Sequence, residues 1–170
     1  MITSSFHAQT SDKAHDQFAQ YAAMDLPGPR YHDPKNSDLI DWMIFSELLT
    51  MDEDEEDFSK SLILTFVEQA NTIFADLDAA LAPEANPNSD ENLKKISNMG
   101  HYLKGSAAAL GLQKVQSECE RIQNYGAKHS FDGLCVPGQW SDSIRDAVEK
   151  CKMEFHNVRI LLSNYYQDQL

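Results

Sequence analysis

The stretch NLKKISNMGHYLKGSAAALG, residues 92–111, decides the fold of this protein. Apolar and small residues recur in it three and four positions apart, at Leu93, Ile96, Gly100, Leu103, Ala107 and Leu110. At this spacing they lie along one stripe of an α-helix, and the pattern predicts that the stripe is buried. Residues 92–111 therefore predict a helix that lies against other helices.

His101 lies in the middle of this helix but off the buried stripe. At roughly 100° per residue, it is about 100° from Gly100 and about 200° from Leu103, so we expect it to face solvent. Lys104 and Gly105 are its neighbours on the helix surface, three and four positions on. A cation there stabilises an anion carried on the ring. A helical glycine costs about 0.5–1 kcal/mol relative to alanine, so we expect close packing at Gly100 and open access at Gly105.

Apolar periodicity predicts four further helices. In chain order, the five helices carry apolar residues over positions 39–49, 58–81, 93–110, 112–122 and 144–165. Asn36 or Ser37 is the expected N-cap of the first helix and Ser89 of the third, while Pro83 and Gly111 end the second and third. We expect an all-α fold, in which helices two to five form an antiparallel four-helix bundle and the first packs across one end.

The beginning of the chain lacks this periodicity. Residues 1–36 are polar and predict a mostly flexible extension, with a short helix around 12–24 and contacts through Phe18 and Tyr21. Residues 37–170 are predicted to form the helical-bundle domain.

Composition narrows the function classes. The formal net charge is −13, from 27 acidic and 14 basic residues, which argues against nucleic acids and anionic membranes as partners. No secretory signal is apparent, and no stretch approaches the roughly 18 apolar residues of a membrane span. The three cysteines, Cys119, Cys135 and Cys151, are too widely spaced for a zinc site, and Cys119 and Cys151 are expected in the core. We expect a monomer in a reducing compartment, the cytoplasm and nucleus.

Several runs of sequence resemble one family. HYLKGSAAALG, residues 101–111, resembles the signature of histidine-containing phosphotransfer (HPt) domains. The runs MDED (51–54), DFSK (57–60) and CERIQN (119–124) are similar to the fungal phosphorelay intermediates of osmosensing pathways, and the likeness covers most of residues 38–169. The resemblance implies a phosphocarrier rather than an enzyme. It would take a phosphoryl group from the receiver-domain aspartate of a hybrid histidine kinase and pass it to the aspartate of a response regulator.

The resemblance also implies the site. His101 would be the phosphoacceptor, since the neutral form of an imidazole has one nucleophilic nitrogen. Lys104 would stabilise the phosphohistidine, Gly105 would admit the partner, and Ser106 would hydrogen-bond either to phosphate or to backbone. Gln123 matches the glutamine that flanks the histidine in the family.

One position departs from the family. Where a second basic residue is expected, this chain has Ala127, with Lys128 one place later. No cofactor or metal site is expected on this chain, and Mg²⁺ is expected on the partner receiver domain.

The family docks receivers on a hydrophobic patch beside the histidine. The positions that fit such a patch are Ile44, Leu48, Leu62, Tyr102 and Ala108, together with Gly105. The alternative is that these apolar residues belong to the core. The first helix has more apolar residues than one stripe needs: either Ile40, Ile44, Leu48 and Met51 are buried, or Met43, Phe45 and Leu49 are.

The acidic run of residues 52–57 has two interpretations. It is a solvated helix start, where carboxylates suit the helix dipole, or it also steers basic receiver surfaces. A calcium loop is excluded, because its sixth position is Asp57 rather than glycine and its twelfth is Ile63.

A different class of function stays open. A helical scaffold would bind receivers without carrying phosphate, and His101 with Lys104 and Gly105 argues against it. No phosphate-binding glycine loop or kinase signature occurs, which argues against an autonomous kinase.

Overall fold

The computed structural model describes residues 34–170, which form five α-helices joined by loops and short 3-10 helices. The α-helices are α1 (Trp42–Thr50), α2 (Phe58–Leu81), α3 (Asp90–Ala109), α4 (Gln113–Gly126) and α5 (Trp140–Tyr166). No β-strand occurs in the described range, and the predicted all-α class is confirmed.

The predictions for the beginning of the chain lie outside the described residues. They are the helix around 12–24 and the contacts of Phe18 and Tyr21. The division into residues 1–36 and 37–170 stays a prediction.

Helices α2 to α5 form the four-helix bundle. Helix α3 packs against α2 and α4, and α5 packs against α4 and α2, so each helix has two neighbours. All six residues of the α3 stripe are buried, as predicted: Leu93, Ile96, Gly100, Leu103, Ala107 and Leu110. Cys119 and Cys151 are also buried, with their sulfur atoms 3.6 Å apart across α4 and α5.

Helix α3 begins and ends where its sequence predicts. The Ser89 hydroxyl oxygen accepts a hydrogen bond from the Asn92 N–H at 3.3 Å, which makes Ser89 the N-cap. After the helix, Gly111 has φ +71°, in the left-handed region that favours glycine. A Cβ at Gly111 would also lie 2.8 Å from the Asp41 carbonyl oxygen, so packing as well as conformation requires glycine here.

The predicted N-cap of the first helix is wrong. Helix α1 is capped by Asp41, whose carboxylate accepts from the backbone N–H of Met43 at 3.0 Å, rather than by Asn36 or Ser37. The Asp41 N–H donates to the Gly111 carbonyl at 2.7 Å. This bond to the α3–α4 turn selects Asp41 among several capable caps, and it holds α1 at that end of the bundle.

The rotation of α1 matches neither predicted set. Phe45 and Leu48 are buried, three positions apart, whereas Met43 and Ile44 are 73% and 38% exposed. The Phe45 ring packs edge-on against Tyr165 near the end of α5, with centroids 5.9 Å apart. Contact with α5 therefore decides which face of α1 is buried.

One residue of the acidic run binds the first turn of α2. Both carboxylate oxygens of Asp52 bind Ser59, one accepting from its N–H and the other from its hydroxyl, each at 2.6 Å. The Ser59 hydroxyl is buried and also bonds the Tyr166 hydroxyl at 2.7 Å, and burial raises the pKa of Tyr166 to about 12. Asp52 thus has the predicted helix-start role.

A buried arginine ties the α4–α5 loop to the bundle. The Arg121 guanidinium, with its side chain 8% exposed, pairs with Glu118 at 2.7 Å and Asp146 at 3.0 Å. Its Nε donates to the Tyr125 hydroxyl at 3.1 Å, which in turn donates to the loop residue Asp132 at 2.7 Å. A buried charge requires such partners.

Residues 34–170 contain neither a membrane-spanning helix nor a cluster of metal-ligating side chains. No helix there is long and apolar enough to cross a membrane. No group of three histidine, cysteine, aspartate or glutamate side chains comes together there in a way that would hold a metal ion.

Candidate functional site

His101 lies at the middle of α3 with its side chain exposed, as the sequence predicts. Its neighbour Tyr102 is 53% exposed, whereas Gly100 and Leu103 are buried. The imidazole is thus held on the solvent face of a helix whose opposite face lies in the core. A rigid helix presents the ring in one direction.

Gly100 permits the close approach of α3 to α4. A Cβ at this position would lie 2.7 Å from the Gln123 backbone nitrogen and 3.1 Å from the Cys119 carbonyl oxygen. Any larger residue would push the two helices apart. The prediction of close packing at Gly100 is confirmed.

Gly105 has no such packing role. A Cβ there would meet no atom within 4 Å, and the residue is exposed. The fold tolerates a side chain at Gly105, so the glycine leaves open space one helical turn from His101. This agrees with the predicted access for a partner.

Lys104 reaches towards α4. Its Nζ lies 3.9 Å from Oε1 of Glu120, and the two side chains are 26% and 49% exposed. The distance is too long for a hydrogen bond, so the ion pair is loose. Sequence reasoning missed Glu120. The signal was available, because Glu120 precedes Gln123 by three positions and shares its face of α4.

Ser106 and Gln123 flank the histidine in different ways. The Ser106 hydroxyl donates to the Tyr102 carbonyl at 3.4 Å, which corresponds to the backbone alternative of the prediction. The Gln123 carbonyl accepts from the Ser97 hydroxyl at 2.8 Å, which holds α4 beside α3 at the level of Gly100. The side-chain Oε1 of Gln123 is buried without a hydrogen-bond partner among the described residues.

Lys128 forms its ion pair at the start of α3 rather than beside His101. Its ammonium group pairs with Asp90 in the first turn of α3. Asp90 precedes His101 by eleven residues, or about 16 Å along the helix. Ala127 is an exposed residue at the end of α4.

The predicted docking patch is partly exposed. Ile44 and Tyr102 are accessible, Leu62 and Ala108 are half-buried, and the Cβ of Ile44 lies against the α3–α4 turn. The prediction that Leu48 belongs to the docking patch is wrong, because Leu48 is only 9% exposed and packs in the core with Phe45.

Two exposed apolar residues, Met43 in α1 and Met51 directly after it, were not among the residues predicted for the docking patch. Met43 is 73% exposed and Met51 is 48% exposed. Their exposure depends on the rotation of α1, which the periodicity of its sequence left undecided.

Similarity to known proteins agrees with this geometry. Residues 61–150, just over half of the chain, match the family model described as the Hpt domain. The phosphorelay intermediate protein YPD1 of Saccharomyces cerevisiae is 48% identical over 168 residues, covering 79% of this chain and 97% of that protein. YPD1 of Candida albicans is 54% identical over 100 residues, which are 59% of this chain and 50% of that relative.

A solved structure has the same fold, and the similarity extends over most of this chain. It is the co-crystal structure of the S. cerevisiae protein Ypd1 with the receiver domain of its downstream response regulator Ssk1. Superposition gives a TM-score of 0.66 at 36% identity, over 78% of this chain and 97% of that one. With an exposed histidine at the centre of the matched helix, the chain belongs to the Hpt domain family of histidine-containing phosphotransfer proteins.

Proposed function

We propose that this protein is a phosphorelay intermediate. It accepts a phosphoryl group on His101 from the receiver-domain aspartate of a hybrid histidine kinase and passes it to the aspartate of a response regulator. The observation that carries the proposal is the exposed imidazole on α3, beside Lys104 and the open space at Gly105. The Ypd1 structure with the Ssk1 receiver domain supports receivers as the partners.

Both transfers are displacements at phosphorus. In the first, the unprotonated ring nitrogen of His101 attacks the aspartyl phosphate, a P–N bond forms, and the P–O bond to the aspartate breaks with release of the carboxylate. In the second, the carboxylate of the next receiver attacks and the P–N bond breaks. The phosphohistidine stores the group between the two steps.

This chain contributes position and charge. The helix holds the ring outward, the absence of a side chain at Gly105 lets the donor reach it, and Lys104 is one residue that can offset the added negative charge. An exposed ion pair contributes at most about 1 kcal/mol, so Lys104 adjusts the site but does not create it. We expect no cofactor on this chain, with Mg²⁺ bound by the receiver, and no autokinase activity.

The docking surface follows from what is exposed. We assign it to Ile44, Tyr102, Gly105 and Ala108, bordered by Leu62. A carrier must release each partner, so we expect a transient interface near or below roughly 1,200 Å² in total. The acidic run of residues 52–57 is exposed apart from Asp52, and its charge would act mainly on the association rate.

The cellular setting is also a proposal. The net charge of −13 supports protein partners, and the three cysteines are free in the structure, as in a reducing compartment. We propose a monomer that works in the cytoplasm and nucleus, in an osmosensing relay.

The test is phosphoryl transfer from a labelled receiver domain. We expect the wild-type protein to acquire an acid-labile, base-stable label. His101→Gln should stay folded and acquire none, because His101 lies off the buried stripe. His129→Gln is the matched control, since His129 is an exposed loop histidine and should label normally. Acid-labile labelling of His101→Gln would overturn the assignment, and receiver binding by an unlabelled wild type would favour the scaffold.

A further inference from the structure

We propose that Glu120 is a positioning residue that competes with the phosphohistidine for Lys104 and so keeps the phosphoryl group easy to transfer. The inference deepens the proposed function and rests on it. Its starting point is the loose pair between Lys104 Nζ and Glu120 Oε1, at 3.9 Å.

The helix packing places Glu120 at the site. Gly100 lets α3 approach the Cys119 carbonyl and the Gln123 nitrogen of α4 closely. Glu120 lies between those two contacts along α4, and Lys104 lies one turn beyond Gly100 on α3. The carboxylate therefore faces the same lysine that is the surface neighbour of His101.

The pair has a longer contact than a comparable lysine–glutamate pair at the start of α3. Lys95 and Glu91, at the start of α3, pair at 2.9 Å, a normal charge-assisted hydrogen bond. At 3.9 Å, Lys104 and Glu120 attract each other without such a bond. The lysine is held towards α4 but can be drawn away by a stronger anion.

Phosphorylation of His101 supplies that anion. A phosphoryl group carries about −1.5 to −2 charges and three acceptor oxygens, against one charge on a carboxylate. Lys104 would turn to the phosphoryl group, and Glu120 would lose its partner while facing a second anion. Both effects raise the free energy of the phosphorylated state relative to a protein without the carboxylate.

A phosphocarrier needs a phosphohistidine that is stable enough to form but not so stable that it keeps the phosphoryl group. If the phosphohistidine were too stable, the group would stay on His101 instead of passing to the next aspartate. Coulomb energies between charges several ångströms apart at a surface are of the order of RT, so we expect removal of Glu120 to change the transfer equilibrium about threefold.

The experiment compares Glu120→Gln with Glu91→Gln. Both remove one carboxylate that pairs with a lysine of α3, but Glu91 is ten residues from His101. Each protein is equilibrated with a phosphorylated receiver domain, and the ratio of phosphohistidine to phosphoaspartate is measured. We expect the ratio to rise about threefold in Glu120→Gln, less at high salt, and to stay at the wild-type value in Glu91→Gln.

A second pair of variants tests whether Glu120 acts through Lys104. In a Lys104→Gln background, Glu120→Gln should change the ratio by clearly less than it does in the wild type. An undiminished effect would mean direct repulsion of phosphate and would overturn the positioning role. A ratio in Glu120→Gln that equals or falls below the wild type overturns the inference alone. A wild-type protein that takes up no label overturns the proposed function as well.

Discussion

Gly105→Gln separates the access role of this glycine from any role in the fold. We expect the variant to fold and to lose phosphoryl transfer. A Cβ at position 105 meets nothing within 4 Å, so the new side chain finds no clash within the protein. It does occupy the space beside His101 through which a receiver would approach.

The magnitudes follow from the helix. Glycine costs about 0.8–1 kcal/mol relative to good helix formers, so glutamine should stabilise the protein by about that amount or slightly less. Side chains four positions apart lie about 5–6 Å from each other at Cβ, and a glutamine at position 105 therefore covers the imidazole. Reacting atoms must come within about 3–3.5 Å, and a displacement of about 1 Å can cost 100-fold, so transfer should fall at least 100-fold.

The assay combines chemical denaturation with rapid-quench transfer from a phosphorylated receiver. Gly105→Ala is the size control and should keep measurable transfer. Gly100→Ala is the packing control: its methyl group would lie 2.7 Å from the Gln123 nitrogen, and overpacking should destabilise the protein by about 1–3 kcal/mol. Transfer by Gly105→Gln within about twofold of the wild type, in a folded protein, would refute the access argument.

Further predictions concern substitutions at four other residues. Lys104→Ala should shorten the lifetime of the phosphohistidine or slow its formation without abolishing either, and complete inactivity of the folded variant would show a larger role. Ile44→Ala should weaken receiver binding in calorimetry by about 1 kcal/mol. Leu48→Ala should instead lower the free energy of unfolding by about 2–5 kcal/mol, and the reverse pattern would return Leu48 to the docking surface. The hydrogen bond from Lys150 lowers the pKa of Asp146 in the folded protein. The carboxylate therefore stabilises the fold fully above the pKa of an unfolded aspartate, about 3.9, and this stabilisation is lost as the pH falls through the lower pKa of the folded protein. In denaturation experiments at several pH values, the free energy of unfolding should fall less steeply at acidic pH in Asp146→Asn than in the wild type. An unchanged pH dependence would contradict this.

Local periodicity was sufficient for α3. Its stripe of six residues, its Ser89 cap and its end at Gly111 are where the sequence predicts them. A helix of twenty residues with one apolar stripe has a single way to face a core, so its exposed face, with His101 and Gly105, follows from the same pattern. The exposure of His101 was therefore predictable without tertiary contacts.

Helix α1 was not predictable in the same way. Nine residues with apolar side chains on most faces do not select a rotation, and several preceding residues can cap a helix. The N-cap is determined by the hydrogen bond from the Asp41 N–H to the Gly111 carbonyl. The buried face is determined by the contact of Phe45 with Tyr165. These partners are distant in sequence, and for this reason Leu48 was assigned to the wrong surface.

The ion-pair partners of charged side chains were likewise not predictable from the sequence. Helix spacing placed Lys104 beside His101, and the role of Lys128 was left open. Only the structure pairs Lys128 with Asp90 and Lys104 with Glu120. A long flexible lysine side chain can reach several carboxylates. Which of them it pairs with depends on differences of a few ångströms in distance, and these depend on how two helices pack.

The sequence alone thus determined the helical class, the course of α3 and the histidine that it exposes, because these depend on residues three and four positions apart. Only the tertiary structure decided the rotation of α1, which of the proposed docking residues are exposed, and the partner of Lys104. Those features depend on contacts between helices, such as the one that Gly100 permits, and no local spacing encodes them.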